Sequence, residues 1–213
     1  MYQSISILIL AILLFQGCAK TNAEYNLLRN NKQNSVKTFS TLSVKKLENQ
    51  KELTIELGDT DKEVIVLDKQ RVFASKLHIS KMSKPFSLDI TSSSTAGFFA
   101  PKVFFLNEKN KAVRTTTAKD LLFDRGLFKG TVFINKDYRK IVSLIVTQDI
   151  GELYKNHKVS YVTSTPVMIP VGPYMMTYIS SSGDQNKTIK NVYGGKIILK
   201  LQVYNPAKVG NKE

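Results

Sequence analysis

"FASKLHISKMSKPFSLDITS", residues 73–92, carries the pattern that decides the fold. Apolar and polar residues alternate through 73–80, so Phe73, Ser75, Leu77 and Ile79 share one face of an extended strand. After a short polar break with Pro85, the alternation resumes and puts Phe86, Leu88 and Ile90 on one face. Two half-buried strands separated by turn chemistry are the unit of an antiparallel sheet.

The same signature recurs on both sides. "LTIEL" (53–57) and "VIVLD" (64–68) flank the turn "GDTDKE", and "SVKTFSTLSVKKL" (35–47) ahead of them reads as a short strand or ordered arm. "KVFFLN" (102–107) is followed by the turn "EKNKA". "KGTVFIN" (129–135) and "KIVSLIVT" (140–147) flank "KDYR", and "GGKIILKLQVY" (194–204) alternates strictly. One segment has helical spacing: in "TQDIGELYKNH" (147–157), Thr147 or Asp149 would cap and Ile150, Leu153 and Tyr154 would form the inner face. The pattern predicts an all-β fold, an antiparallel β-sandwich of jelly-roll type with one short helix. Neither an internal repeat nor a linker breaks 36–205, which reads as one domain.

The single cysteine, Cys18, follows an uncharged run, "MYQSISILILAILLFQG". Its apolar core is shorter than the roughly 20 residues of a transmembrane helix. It matches a secretory signal ending at Gly17. Cysteine directly after that small residue resembles the lipobox of bacterial lipoproteins, and the resemblance implies diacylglycerol on the Cys18 thiol and a further acyl chain, such as palmitate, on its amine. Two or more chains make a stable anchor. Ala19 and Lys20, with no Asp after the cysteine, resemble the sorting pattern for the periplasmic face of the outer membrane; the inner membrane is the alternative. The expected organisation is a signal over 1–17, a flexible tether over 18–35 rich in Asn and Lys, the domain over 36–205 and a tail over 206–213.

The folded part has no cysteine and must hold without disulfides. Net charge is +14, and 31 residues are basic, but only five of these are Arg. Lysine-rich charge is diffuse, whereas planar phosphate recognition favours Arg. An exported protein does not call for nucleic acid, so the charge is either a soluble surface or an attraction to anionic lipid or polysaccharide.

The segment "RVFASKLHISKMSKPFSLDITSSSTAGFFAPKVFFLNEKNKAV" (71–113), with Phe99-Ala100-Pro101 leading into a strand, resembles the core of the maltose operon periplasmic protein family (MalM). "GLFKGTVFINKDYRKIVSLIVTQDIGELYK" (126–155) is similar to that family's next hairpin, and "GGKIILKLQV" (194–203) to its last strand. Members of that family carry a long C-terminal extension, which this chain lacks, and an ordinary signal in place of a lipobox. The resemblance implies a non-catalytic accessory of maltose or maltodextrin uptake that contacts an outer-membrane porin or the sugar.

Catalytic chemistry is weakly signalled. His78 and His157 lie far apart and have no metal-ligand spacing. The serine clusters in 89–97 and 178–184 lack a nucleophile elbow. A triad of Asp89, His78 and a serine has no spacing to support it. Asp120, Asp124, Asp137, Asp149 and Glu152 fall in turns and in the expected helix. The reading is therefore no enzyme, no cofactor and no metal site. A binding surface is expected in 160–195, where Tyr161, Tyr174, Tyr178 and Tyr193 accompany three prolines and a Met pair. Tyr174, Tyr178 and Tyr193 are the candidate ligand residues, with Tyr174 or Tyr178 as a stacking platform. The alternative is that these residues build a strand that packs into the sandwich. The competing function is an envelope structural or adhesion lipoprotein that binds anionic lipid or polysaccharide.

Overall fold

The alternating segments become strands. The computed structural model describes residues 20–171 and 174–204, and Cys18, the signal and the tail lie outside them. In chain order the first elements are α1 (Asn22–Asn30), β1 (Val36–Lys37), β2 (Val44–Lys46), β3 (Glu52–Leu57), β4 (Val64–Leu67), β5 (Gln70–His78) and β6 (Phe86–Ser93). They are followed by β7 (Pro101–Leu106), β8 (Ala112–Thr116), β9 (Leu122–Asp124), β10 (Leu127–Ile134) and β11 (Ser143–Gln148). The last are β12 (Asn156–Val171), β13 (Tyr174–Lys190) and β14 (Gly195–Val203).

One sheet runs β1-β4-β5-β11-β7-β8, with β2 beside the far half of β5, and a second runs β3-β14-β6-β10-β9. Setting aside the short edge strands, β3, β5, β6, β7, β8, β10, β11 and β14 pair as nested antiparallel ribbons. The first pairs with the last, β5 with β11, β6 with β10 and β7 with β8. That nesting is the jelly roll. The sheets face each other across one core. Phe73, Leu77, Val103, Phe105 and Leu144 meet Ile55, Leu88, Ile90, Val132, Ile197 and Leu199, all essentially inaccessible to water. Pro101 opens β7, where a missing N–H is tolerated.

β5 is covered on its outer face as well. Val72 and Ala74 pack there with Leu42, Ile65, Leu106 and Ile145, and Phe39 and Phe104 stack at 5.3 Å between ring centres. The segment between β1 and β2 supplies this cover. Lys76 is buried beneath it and donates from Nζ to the Phe39 carbonyl and Asn110 Oδ1, both at 2.8 Å. Burial without a carboxylate partner holds the amine below the ordinary lysine range.

The fold class stands, but the helix lies elsewhere than 147–157. Thr147 and Gln148 stay in the β11 ladder, and the Thr147 hydroxyl donates to the Phe73 carbonyl at 2.7 Å. Only Ile150–Glu152 turns, as one 3-10 turn. Asp149 closes it by accepting from the Gly151 N–H at 3.0 Å, and its other oxygen accepts from the Ala118 N–H at 3.1 Å. The chain enters β12 at Asn156, which leaves room for no more than this turn, and Tyr154, expected inside, is 75% exposed.

The helix is α1, inside the segment expected to be a flexible tether. A capping box starts it: Thr21 accepts from the Glu24 N–H, and the Glu24 carboxylate accepts from the Thr21 N–H at 2.6 Å. Tyr25 plugs it into the domain, against Gly58 and Gly194, where any Cβ would come within 3 Å of the ring. At the C-terminal end Arg71 donates to the carbonyls of Arg29, Asn31 and Asn34, which satisfies acceptors that a helix end leaves open.

Candidate functional site

The segment 160–195 builds neither a loop cluster nor a strand of the sandwich. Most of it belongs to a hairpin of 16 and 17 residues, β12 and β13, while no strand of the two sheets exceeds nine. At about 3.3 Å per residue, each arm is on the order of 50 Å long. The arms pair only with each other among the described residues, from Asn156↔Lys190 to Val171↔Tyr174, with one register shift between Tyr161 and Thr163. In the jelly roll this hairpin is an insertion between its seventh and eighth strands, β11 and β14.

Its base is clamped to the body. The Phe98 N–H donates to the Lys190 carbonyl at 3.1 Å, and the Val192 N–H to the Phe98 carbonyl at 2.9 Å. Gly97 permits this approach, since a Cβ there would lie 2.3 Å from the Lys190 oxygen. Gln148 Nε2 donates to the Val192 carbonyl at 2.6 Å and to Asn191 Oδ1 at 3.3 Å. On the other arm, His157 sits among Phe98, Phe123 and Phe128, with ring centres 4.6, 4.3 and 5.8 Å away. Its Nε2 lies 3.2 Å from Glu152 Oε2, and Lys155 Nζ is 2.5 Å from Oε1. Burial pushes the Glu152 pKa up. The hydrogen bonds from Lys155 and His157 outweigh it, leaving the carboxyl below its ordinary value.

Beside the base is an open cleft of about 490 Å³ whose lining includes Asn22, Ser94, Thr95, Arg125, Lys187 and Lys190. Among the described residues that line it there is no carboxylate, though Arg125 Nε lies 3.5 Å from Asp124 Oδ1. Arg125 and Gly126 have positive φ, +46° and +83°, which makes the tight two-residue turn between β9 and β10 that brings Arg125 to the rim. The cleft therefore offers positive charge and hydroxyls, chemistry suited to an anion.

The candidate tyrosines do not converge. Tyr174 and Tyr178 lie on β13, opposite Val171 and Val167 at the far end of the hairpin, and their side chains fall outside the described residues. Tyr193 lies past the base. Its N–H donates to Asn22 Oδ1 at 2.9 Å, and the Arg29 guanidinium covers its ring at 3.7 Å from the centroid. Tyr193 is thus a clasp for α1, with a cation over one face of its ring.

The other polar candidates have local partners. His78 is exposed at the end of β5, on the opposite sheet from Asp89, which accepts from Thr131 at 2.6 Å and Gln202 at 3.2 Å. Asp120 caps Thr117, Asp124 pairs with Lys129 and Asp137 with Lys140. Among the described residues no three His, Cys, Asp or Glu side chains group to hold a metal, and no helix is long and apolar enough to cross a membrane. The basic cleft and the Glu152–His157 contact were not read from the sequence. Lys187 and Lys190 sit three apart on one arm, but Arg125 reaches them only through the fold.

No protein-family model matches the chain, and no curated protein matches it. Among solved structures, it is similar to the pre-peptidase C-terminal domain of a collagenase from Bacillus anthracis. The identity is 7%, the match covers 76% of this chain and 96% of that one, and the TM-score is 0.31. A likeness that slight carries no argument about function.

Proposed function

We propose that the protein is a lipid-anchored, non-catalytic accessory of maltodextrin uptake at the periplasmic face of the outer membrane, and that it presents the β12–β13 hairpin to a partner. The maltodextrin context rests on the resemblance to the maltose operon periplasmic protein family over 71–113, 126–155 and 194–203. The observation that supports a presenting role is the hairpin itself. A two-stranded sheet with arms of 16 and 17 residues against at most nine in the body's strands, bonded to the body at its base, has the form of a probe. Between the two partners considered, an outer-membrane porin is favoured over free sugar because Arg29 covers the Tyr193 ring.

Two measurements test this reading. Cys18→Ser is expected to move the protein from the membrane to the soluble periplasmic fraction; undiminished membrane retention would remove the lipid anchor from the proposal. Photo-crosslinking groups placed along β13 are expected to trap a porin in intact cells. Traps confined to the sandwich body would sink the presenting role, and calorimetric binding of maltoheptaose by the isolated protein would restore the sugar as direct ligand.

The cleft supports a second reading, in which an envelope lipoprotein engages anionic lipid or polysaccharide through Arg125, Lys187 and Lys190. Binding of that kind weakens steeply with salt, since screening shortens to about 8 Å at physiological ionic strength. A salt-insensitive interaction would count against it.

A further inference from the structure

We infer that the far end of the hairpin is a membrane-inserting tip, which enters the hydrocarbon of one bilayer leaflet. The inference stands apart from the sugar reading and from the cleft in the force it uses, the transfer of an apolar end into hydrocarbon, although it shares Tyr174, Tyr178 and Lys187 with them.

Charge along the chain is the first ground. In a protein with 23% charged residues, no residue between Lys158 and Asp184 is charged. Charges in a bilayer interior are expensive, so a membrane-entering segment must lack them. A merely solvated arm, by contrast, would share the lysine-rich composition of the rest of the surface.

Register supplies the second ground. The continuous pairing from Pro166↔Ile179 to Val171↔Tyr174 sets apolar residues opposite one another, with Ile169 against Met176 and Pro170 against Met175. Thr177 is the exception among residues 166–171 and 174–179; the others are Val, Ile, Met, Pro or Tyr. Toward the base the composition turns to Ser and Thr, with Thr163, Ser164 and Thr165 opposite Ser182, Ser181 and Ser180. Lysine returns beyond that, at Lys158 and Lys187. Apolar end, hydroxyl stem and basic base follow the order of hydrocarbon, interface and anionic headgroup surroundings. Six residues per arm reach about 20 Å, which a modest tilt fits to one leaflet, half of a core of roughly 30 Å.

Backbone chemistry is the third ground, and it separates a bilayer from a neighbouring strand. Pro166 and Pro170 are four apart on β12, so their nitrogens face the same edge. The ladder runs unbroken past both, so that edge is the outer one. An outer edge that lacks donors is a poor template for strand addition. In hydrocarbon the same prolines remove two of the outer-edge N–H groups that would otherwise go unsatisfied, while the β13 edge keeps its own. Nor does the tip alternate apolar with polar residues, as the wall of a barrel would.

The test uses the chain from Ala19 onward, which keeps every described residue and has no cysteine. Single cysteines replacing Ile169, Met176, Ser181 and His78 are labelled with an environment-sensitive dye and mixed with vesicles of three parts phosphatidylethanolamine to one part phosphatidylglycerol. Dyes at 169 and 176 are expected to shift to the blue and be quenched by acyl-chain spin labels. The dye at 181 should respond weakly and that at 78 not at all. Ile169→Asp with Met176→Asp is expected to lower vesicle partitioning at least tenfold at an unchanged melting temperature. Aqueous spectra at 169 and 176 on bound vesicles, equal partitioning of the double variant, or no partitioning by the parent would each overturn the proposal. So would tip-dependent binding seen only when the vesicles carry a protein.

Discussion

β5 and β12 are both held by antiparallel ladders, β5 by β11 and β4 with only the short β2 joining in parallel, and β12 by β13, yet they live under opposite conditions. β5 has β11 along one edge and β4, then β2, along the other, with a packed layer over each face. β12 has one neighbour along its whole length. The ladder chemistry is the same in both, so the difference lies in what covers it. A two-stranded hairpin is marginal in water unless something packs against it. Among the described side chains, the body supplies that at the base, where Phe98, Phe123 and Phe128 pack around His157 and Val159 is buried.

Truncation gives the sharpest contrast. Phe105→Ala removes a ring from the centre of the core and is expected to destabilise the domain by about 3–5 kcal/mol, read as a lower melting temperature. Ile169→Ala, an equally apolar position in sequence, is expected to leave the melt unchanged. Equal losses would mean that the far hairpin packs on the body and that the contrast is false.

A smaller effect is expected at the joint. Glu152 is a buried carboxylate whose folded pKa lies below its ordinary value of 4.5. A lowered folded pKa means that the group contributes stability above the unfolded value, and that this is lost as pH falls below about 4.5 and through the folded pKa. Glu152→Gln is expected to cost about 1–2 kcal/mol near neutral pH and to flatten the acid side of the stability profile. An unchanged profile would show that the Lys155 and His157 contacts contribute nothing. Smallest of all, Thr21→Ala removes the capping side chain of α1 and is expected to cost about 1 kcal/mol. Faster amide exchange in 22–30, with the sheets unaffected, would locate the loss.

The jelly roll was legible because its strands are half-buried. Phe86, Leu88 and Ile90 on β6, and Ile197, Leu199 and Leu201 on β14, are buried on one face and alternate with residues that, Ile198 apart, are polar, and period two reports that directly. β5 shows how far the signal reaches: its alternation is clean, but nothing in it says that Lys76 is buried beneath Phe39. Two elements were misread for physical reasons. Ile150 and Leu153 are three apart, a spacing one 3-10 turn satisfies as well as a helix. In α1 the Asn-rich composition hid the Thr21–Glu24 box, which was there to be read and would have marked a helix start. At the candidate site, the form of segment 160–195 was not legible, because prolines read as turns can also lie along the outer edge of a strand. Tyr193 was counted with Tyr174 and Tyr178 because they are near in sequence, whereas the hairpin carries those two to its far end.

Arg71 also has a mechanical consequence. Any pull on the chain ahead of Lys20 enters the domain through α1. There the load meets three carbonyls held by one guanidinium, the reciprocal bond from Arg29 Nη1 to the Arg71 carbonyl at 3.0 Å, and the wedged Tyr25 ring. These contacts sit side by side across the helix and β5, so they share a tug instead of opening in turn. α1 thus works as a strain relief, delivering force to β5, the strand with the most neighbours, and sharing it with the Tyr193 clasp beside the hairpin base.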